Sequence, residues 1–341
     1  KMLLNNNSLP DNLSTNTIID TGKFNKLNMI KLSLEKMYNQ YPNLFHKHIL
    51  GISSSKISYE VIKYSKNRKK YIAHLHCFNI DNFDLIYGPY INLIKKYFYI
   101  IITFSFGKSD KMNNQDVSIL KIKNKGMDIG GKIACLHFLE LNELKYDIIF
   151  FLHSKSNNKK RNEYFAPFLS NEASLSNIIS TLKNNRGTGA IFPNCVHSYS
   201  KNTNEYRILQ KNNVAYLNEL SKLLGIQKEN PIIFEGNVFM IKKEVLGPVI
   251  KNLELLYSLL NDESSFDFNW FKIYNNLGDN ITPRDAYNHL MSAKKKIKIG
   301  NNIPLMLQTH PSSLPDGMIE HAIERIWDGL LIKFNKRYIV V

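Results

Sequence analysis

The sequence predicts an α/β fold built on a mostly parallel sheet covered by helices. Short apolar runs rich in Ile, Phe and Tyr recur along the chain. The gaps between them have helical length and carry apolar residues at 3–4 spacing. The runs stop abruptly at polar or glycine-containing turns, as strands of a helix-covered sheet do.

Residues 71–78 (YIAHLHCF) read as the first strand of this alternation and residues 84–96 as the helix after it. Residues 97–104 (YFYIIITF) and 117–122 supply the second and third strands. Residues 128–144 hold Ile129, Ile133 and Leu136 on one helical face, and 147–152 return to a strand. In the second half, 189–193 (GAIFP) read as a strand and 214–224 as a helix closed by Gly225. Residues 232–241 (IIFEGNVFMI) read as a strand interrupted at Gly236. A long last helix is predicted over 316–332, where Ile319, Ala322, Ile323, Ile326, Trp327, Leu330 and Leu331 keep a 3–4 rhythm.

Ahead of the sheet, residues 1–22 are rich in Asn, Ser and Thr and aperiodic, so they are expected to be a mobile lead-in. Residues 24–65 are expected to form a helical preface on Leu27, Ile30, Leu34 and Met37. The boundary is drawn at 65/66, with one domain over 66–341. Residues 262–311 are polar, aromatic and irregular, and no internal repeat is present.

The chain has 341 residues, 43% hydrophobic and 11% aromatic, enough for a real core and too apolar for overall disorder. The net charge of +16 favours anionic partners: nucleic acid, acidic lipid or phosphorylated small molecules. Its lysine and arginine clusters, at 68–70, 159–161 and 294–296, taken singly each read best as solvated surface. Cys77, Cys135 and Cys195 are scattered with no CxxC pair, which weighs against zinc and for a reducing, cytoplasmic setting. No apolar run approaches the length of a membrane span. A chain that opens Lys1-Met2 is also compatible with a piece of a longer polypeptide.

Four stretches carry candidate chemistry. In NKGMDIGG (124–131) a glycine turns the chain, Asp128 caps a helix, and two glycines in its first turn leave the backbone open to an anion. The plainer reading is a strand-to-helix turn with Asp128 as N-cap. In YDIIFFLHSKS an apolar strand ends in His153-Ser154-Lys155. Many sugar-nucleotide enzymes end such a strand in two carboxylates that hold a metal. An imidazole, a hydroxyl and an ammonium would instead meet the charge of a departing diphosphate directly. The plainer reading is a surface turn.

In FEGNVF (234–239) a carboxylate and a glycine interrupt an apolar strand; a glycine there marks close approach of a ligand, and Glu235 could act as a base. The plainer reading is an edge glutamate facing water. In PDGMIEHAIER (315–325) Asp316 opens a helix whose Glu320, His321, Glu324 and Arg325 fall opposite the apolar stripe. The plainer reading there is a cap and a charged helix surface.

In their order these segments resemble the rhamnan synthesis protein F family, sugar-transfer proteins of surface-polysaccharide assembly. The resemblance runs from about Tyr71 to Leu331 through IAHLHCFNID, KNKGMDIGG, YDIIFFLHSKS, FEGNVFMIKKEVL and DGMIEHAIERI. Ser154 stands where the family favours threonine, and Glu235 where a small or apolar residue is usual. Residues 275–312 look like an insertion that reshapes acceptor choice, and the first 65 residues are not covered. More broadly the order resembles GT-A glycosyltransferases, a Rossmann-like class. There a glycine turn precedes a helix, a strand ends in Asp-x-Asp, and a later glycine-containing strand shapes the acceptor side.

The resemblance implies a donor half at about 66–160 and an acceptor half at about 185–341. It implies an inverting, metal-independent glycosyltransferase with a nucleotide-sugar donor, a deoxyhexose such as rhamnose, and a glycan or glycoprotein acceptor. No cofactor would be required. His153, Ser154 and Lys155 would stabilise the diphosphate, and Asp128 with the Gly126 turn would hold donor sugar or ribose. His74 and His76 would be nucleotide or phosphate neighbours, buried structural histidines being the alternative. Asp316 would be the base, with Glu235 and Glu320 in reserve, and Gly236, Asn237, His321, Glu324 and Arg325 would line the acceptor side. The basic surface would allow peripheral contact with an anionic membrane. The rival expectation is a non-catalytic module binding glycan or nucleic acid; against nucleic acid stand the scattered basic residues and the lack of a recognition motif.

Overall fold

The computed structural model describes residues 56–66, 69–109, 116–154, 158–194, 196–198, 214–226, 232–234, 236–260 and 319–341. Its strands are β1 (Tyr59–Lys63), β2 (Tyr71–Asn79), β3 (Tyr99–Phe106), β4 (Ser118–Ile122), β5 (Ile148–His153), β6 (Thr188–Phe192), β7 (Val196–Ser198), β8 (Ile232–Phe234), β9 (Phe239–Lys242) and β10 (Arg337–Val340). Its helices are α1 (Phe83–Tyr97), α2 (Met127–Leu141), α3 (Asn158–Leu169), α4 (Glu172–Asn184), α5 (Val214–Leu224), α6 (Gly247–Lys251), α7 (Leu253–Leu259), α8 (Ile319–Ile323) and α9 (Trp327–Lys333).

Eight strands form one sheet in the order β1-β4-β3-β2-β5-β9-β6-β10. The pairs β4/β3, β3/β2, β2/β5 and β6/β10 are parallel, whereas β1 and β9 run antiparallel to their neighbours. The alternating faces of β2, β3 and β5 divide the core. Ala73, Leu75, Ile100, Ile102, Phe150 and Leu152 pack beneath α1, α3 and α4. Ile72, Ile101, Ile149 and Phe151 pack beneath α2, α5, α7 and α9. Both faces are therefore covered, which is why the central strands read as continuous apolar runs.

The expected mixed α/β class and mostly parallel sheet are observed, with four differences. Residues 59–63, expected within the helical preface, are an edge strand paired with β4. The apolar positions of that segment alternate as well as they repeat at helical spacing, and Tyr59 packs against His137 and Phe138 of α2. The rest of the expected lead-in, residues 1–55, lies outside the described residues.

The run 232–241 is not one strand. β8 pairs with β7 in a separate two-stranded sheet, and β9 enters the main sheet, with a sharp turn between them. The last helix is divided into α8 and α9. The Arg325 and Ile326 amides bond back only three residues, to Ala322 and Ile323, which closes α8 before α9 begins. Finally, α3, α4 and β10 cover stretches to which the sequence had assigned no element. Asn171 caps α4 by accepting from the Ser174 amide at 2.9 Å, a signal present in the sequence.

Cys77 and Cys135 are buried free thiols. Among the described residues no helix is long and apolar enough to cross a membrane.

Phe150 is fully buried at the centre of the sheet, with its ring 5.9 Å from that of Phe98 and 5.0 Å from that of Phe168. Phe150→Ala is expected to lower the unfolding free energy by about 3–5 kcal/mol, measured by urea titration.

Candidate functional site

Strand order locates the candidate crevice. From β2 the chain builds outward through β3 to β4, then returns to place β5 on the other side of β2. The order reverses between β2 and β5, and ligands of such sheets sit beyond the carboxyl ends of the strands at that reversal. His76 and His153 are register partners there. The Ser154 amide donates to the His76 carbonyl at 2.8 Å. The Ser154 hydroxyl accepts from the Phe78 amide at 3.2 Å. Tyr87 of α1 donates to the same His76 carbonyl at 2.7 Å. The two strand ends are thus held together by backbone and hydroxyl bonds rather than by charge.

Helix α2 meets this edge by its first turn. Gly126 is left-handed at φ +70°, and Met127 is left-handed as well. Asp128 is not the N-cap; it lies inside the first turn and points into the protein. The glycines also differ from expectation. A Cβ on Gly130 would lie 1.8 Å from the Lys125 carbonyl oxygen, and one on Gly131 would lie 2.6 Å from His76 Nδ1. They admit protein atoms rather than opening the backbone to a ligand: Gly130 clears the turn before its own helix, and Gly131 lets α2 settle on the sheet.

Asp128 Oδ2 accepts from Lys132 Nζ at 2.5 Å and from Asn237 Nδ2 at 2.8 Å. Asn237 Oδ1 accepts in turn from the Trp327 indole at 3.1 Å. Asp128, Lys132, Asn237 and Trp327 are all buried. A carboxylate in such a place needs a cation and donors, and this one has both. Lys132 Nζ also stands over the Phe151 ring, 5.7 Å from its centre.

Beneath the crevice two imidazoles share one hydroxyl. Thr103 Oγ1 is 2.8 Å from His74 Nε2 and 2.9 Å from His76 Nδ1. The hydroxyl has one proton, so it donates to one ring and accepts from the other. Burial pushes the His74 pKa well below its usual value, with His76 adding to the effect. Burial likewise pushes His76 down to about 4, against the opposing pull of Asp128. Both rings are neutral at pH 7. His74 is 0% exposed and lies one layer below the crevice, so the expectation of a phosphate neighbour is corrected for it: His74 is a core histidine. His76 sits at the carboxyl end of β2, opposite His153.

His153 Nε2 donates to the Gly236 carbonyl. This engages His153 Nε2 with the protein's own backbone, and it joins β5 to the turn before β9. Gly236 has φ +83°, and a Cβ there would lie 2.6 Å from the Tyr164 ring. Glycine is required by backbone and space alike.

The structure therefore brings together Gly126, Asp128, His76, His153, Ser154, Gly236 and Asn237 from segments far apart in sequence. Asn237, expected on the acceptor side, faces Asp128 instead. Glu320, His321 and Arg325, expected on an exposed helix face, are buried, and Glu324 is half-buried. Arg325 donates from Nη1 to the His321 carbonyl one turn back. Glu320, at 0% exposure, is closed to an incoming hydroxyl, which removes the physical basis for its reserve role as base. Lys155, Glu235 and Asp316 lie outside the described residues.

Lys132, Thr103, Tyr164 and Trp327 were missed as members of the site. Only Lys132 had a sequence signal, standing four residues after Asp128 on a helix. Among the described residues no group of three or more His, Cys, Asp or Glu side chains is arranged to hold a metal ion. No family model matches the sequence, and no curated protein matches it.

Removing one member of the buried pair leaves an uncompensated charge. Lys132→Met is expected to cost about 3–5 kcal/mol of unfolding free energy, and Asp128→Asn in the same chain to recover much of it, by chemical denaturation. A second expectation concerns pH. The unfolded chain binds a proton at His76 below its ordinary value of 6.5, whereas the folded protein does not until about 4. Stability present above pH 6.5 is therefore lost as pH falls toward 4, by about 3 kcal/mol for this group. His76→Asn should flatten that part of the stability–pH curve; an unchanged slope would count against a neutral His76.

Proposed function

We propose that the chain is a GT-A-type glycosyltransferase that moves a sugar from a nucleotide diphosphate to a glycan acceptor, with inversion and without a metal. The observation that carries the reading is a convergence. The Gly126 turn with Asp128, the β5 terminus with His153-Ser154, and the glycine turn before β9 meet beside the carboxyl ends of β2 and β5, at the reversal of strand order. These are the three segments on which the resemblance to that class rests. The residue types at the end of β5 support metal independence, because an imidazole and a hydroxyl stand where paired carboxylates would hold an ion. Rhamnose or another deoxyhexose as the donor sugar rests on the resemblance to rhamnan synthesis protein F.

In the proposed reaction the acceptor hydroxyl oxygen attacks the anomeric carbon opposite the leaving group. Its proton passes to the Asp316 carboxylate. The bond from the anomeric carbon to the diphosphate oxygen breaks, and its electron pair leaves with the diphosphate. Lys155 meets that developing charge as a point cation. Asp128, buried and held by Lys132 and Asn237, acts on the donor sugar or ribose by setting the Gly126 turn. The basic surface suits an anionic donor and an anionic membrane alike.

A thermal-shift panel of nucleotide sugars, with and without manganese, tests the reading. One donor class should raise the melting temperature without metal, and EDTA should leave transfer unaffected. Lys155→Ala should abolish transfer, by at least about a hundredfold, and leave the melting temperature unchanged. Binding of a donor without transfer or hydrolysis under any condition would instead indicate a carbohydrate-binding module. Stabilisation by none of the donors would sink the proposal.

A further inference from the structure

We propose that Asn237 is a positioning residue that ties the orientation of the Asp128 carboxylate to helix α9 through the indole of Trp327. The link from Asp128 to donor binding through the Gly126 turn rests on the function proposed above; the coupling stands on geometry alone.

Asn237 is 1% exposed and has φ +51°. Asparagine is among the few non-glycine residues that tolerate this left-handed backbone. Its side chain is also matched to its two partners. An indole N–H can only donate and an ionised carboxylate can only accept. A group between them must therefore accept on one side and donate on the other, as an amide does. The partners fix which way the amide faces: Oδ1 toward Trp327 Nε1 at 3.1 Å, and Nδ2 toward Asp128 Oδ2 at 2.8 Å. Aspartate at 237 would set a second carboxylate against the first, and leucine would leave both partners without this bond.

The turn that carries Asn237 has little freedom to absorb a displacement. Gly236 lies against the Tyr164 ring, and its carbonyl accepts from His153. The Asn237 amide nitrogen bonds back to the Phe234 carbonyl at 3.3 Å. A shift of Trp327 therefore passes through the side-chain amide to Asp128. Lys132 and Asn237 both engage Oδ2, so together they set the rotation of the carboxylate. The C-terminal helices and the crevice wall then share one hydrogen-bond chain. Motion of α9, as an acceptor enters its half of the molecule, would be felt at the donor-side carboxylate.

Trp327→Phe tests this, because it keeps a buried aromatic ring and deletes the N–H; the volume it also removes is common to both backgrounds compared below. Calorimetry on the full chain with dTDP-rhamnose as probe should show about tenfold weaker binding in Trp327→Phe. The same substitution made in an Asp128→Asn chain should add little further loss. Equal weakening in both backgrounds, or none in either, overturns the proposal. A second readout is independent of any ligand. The chain has two tryptophans, so Trp270→Phe leaves the Trp327 indole as a single N–H resonance. That resonance should move in Asp128→Asn, because Asn237 bonds to both side chains; an unmoved resonance overturns the coupling. If dTDP-rhamnose does not bind the wild-type chain while the indole resonance moves, the donor reading fails and the coupling stands.

Discussion

A carboxylate placed inside a protein dictates what surrounds it. Asp128 lies in the first turn of α2, turned away from solvent, and its charge must be met there. Lys132 meets it from the next turn of the same helix, and Asn237 from the turn before β9. The consequence is geometric. α2 must lie close enough for its carboxylate to reach Asn237 ahead of β9, and at Gly131 it lies so near His76 and Thr103 that no Cβ fits. Trp327, held by Asn237, brings the C-terminal helices into the same arrangement. One buried charge thus ties α2, the turn before β9 and α9 together around the reversal in strand order.

Below that charge the polar groups are kept neutral. His74 and His76 share the Thr103 hydroxyl, and burial holds both rings unprotonated at neutral pH. A protonated imidazole there would add positive charge beside Lys132 in a low-dielectric layer. The neutral pair lets Lys132 remain the countercharge of Asp128. In the proposed reaction the cation that meets the diphosphate is Lys155.

Much of this was legible locally. The apolar runs that became β2, β3, β5 and β6 were recognisable because strands buried on both faces cannot tolerate alternation. The glycine turn at 126 and the strand end at 153 were equally visible, since backbone handedness and an abrupt change of polarity are written in neighbouring residues. The edge strand β1 was not, because its partner β4 lies about 60 residues away and short amphipathic segments satisfy two periods at once. The last helix misled in another way. Its charged positions looked solvent-facing by period, yet Glu320, His321 and Arg325 are buried, because residues of other elements cover the side that faces away from the apolar stripe.

The sequence by itself determined the α/β class, the order of the central elements and the places where a turn required glycine, because each follows from periodicity or backbone sterics within a few residues. The tertiary structure alone decided which polar side chains are site and which are core. His74 went to the interior, Asn237 crossed from the expected acceptor side to Asp128, and Trp327 became a hydrogen-bond donor rather than mere filling. The physical reason is that burial and hydrogen-bond partnership are properties of pairs of distant segments, and no single segment contains the desolvation that selects between them.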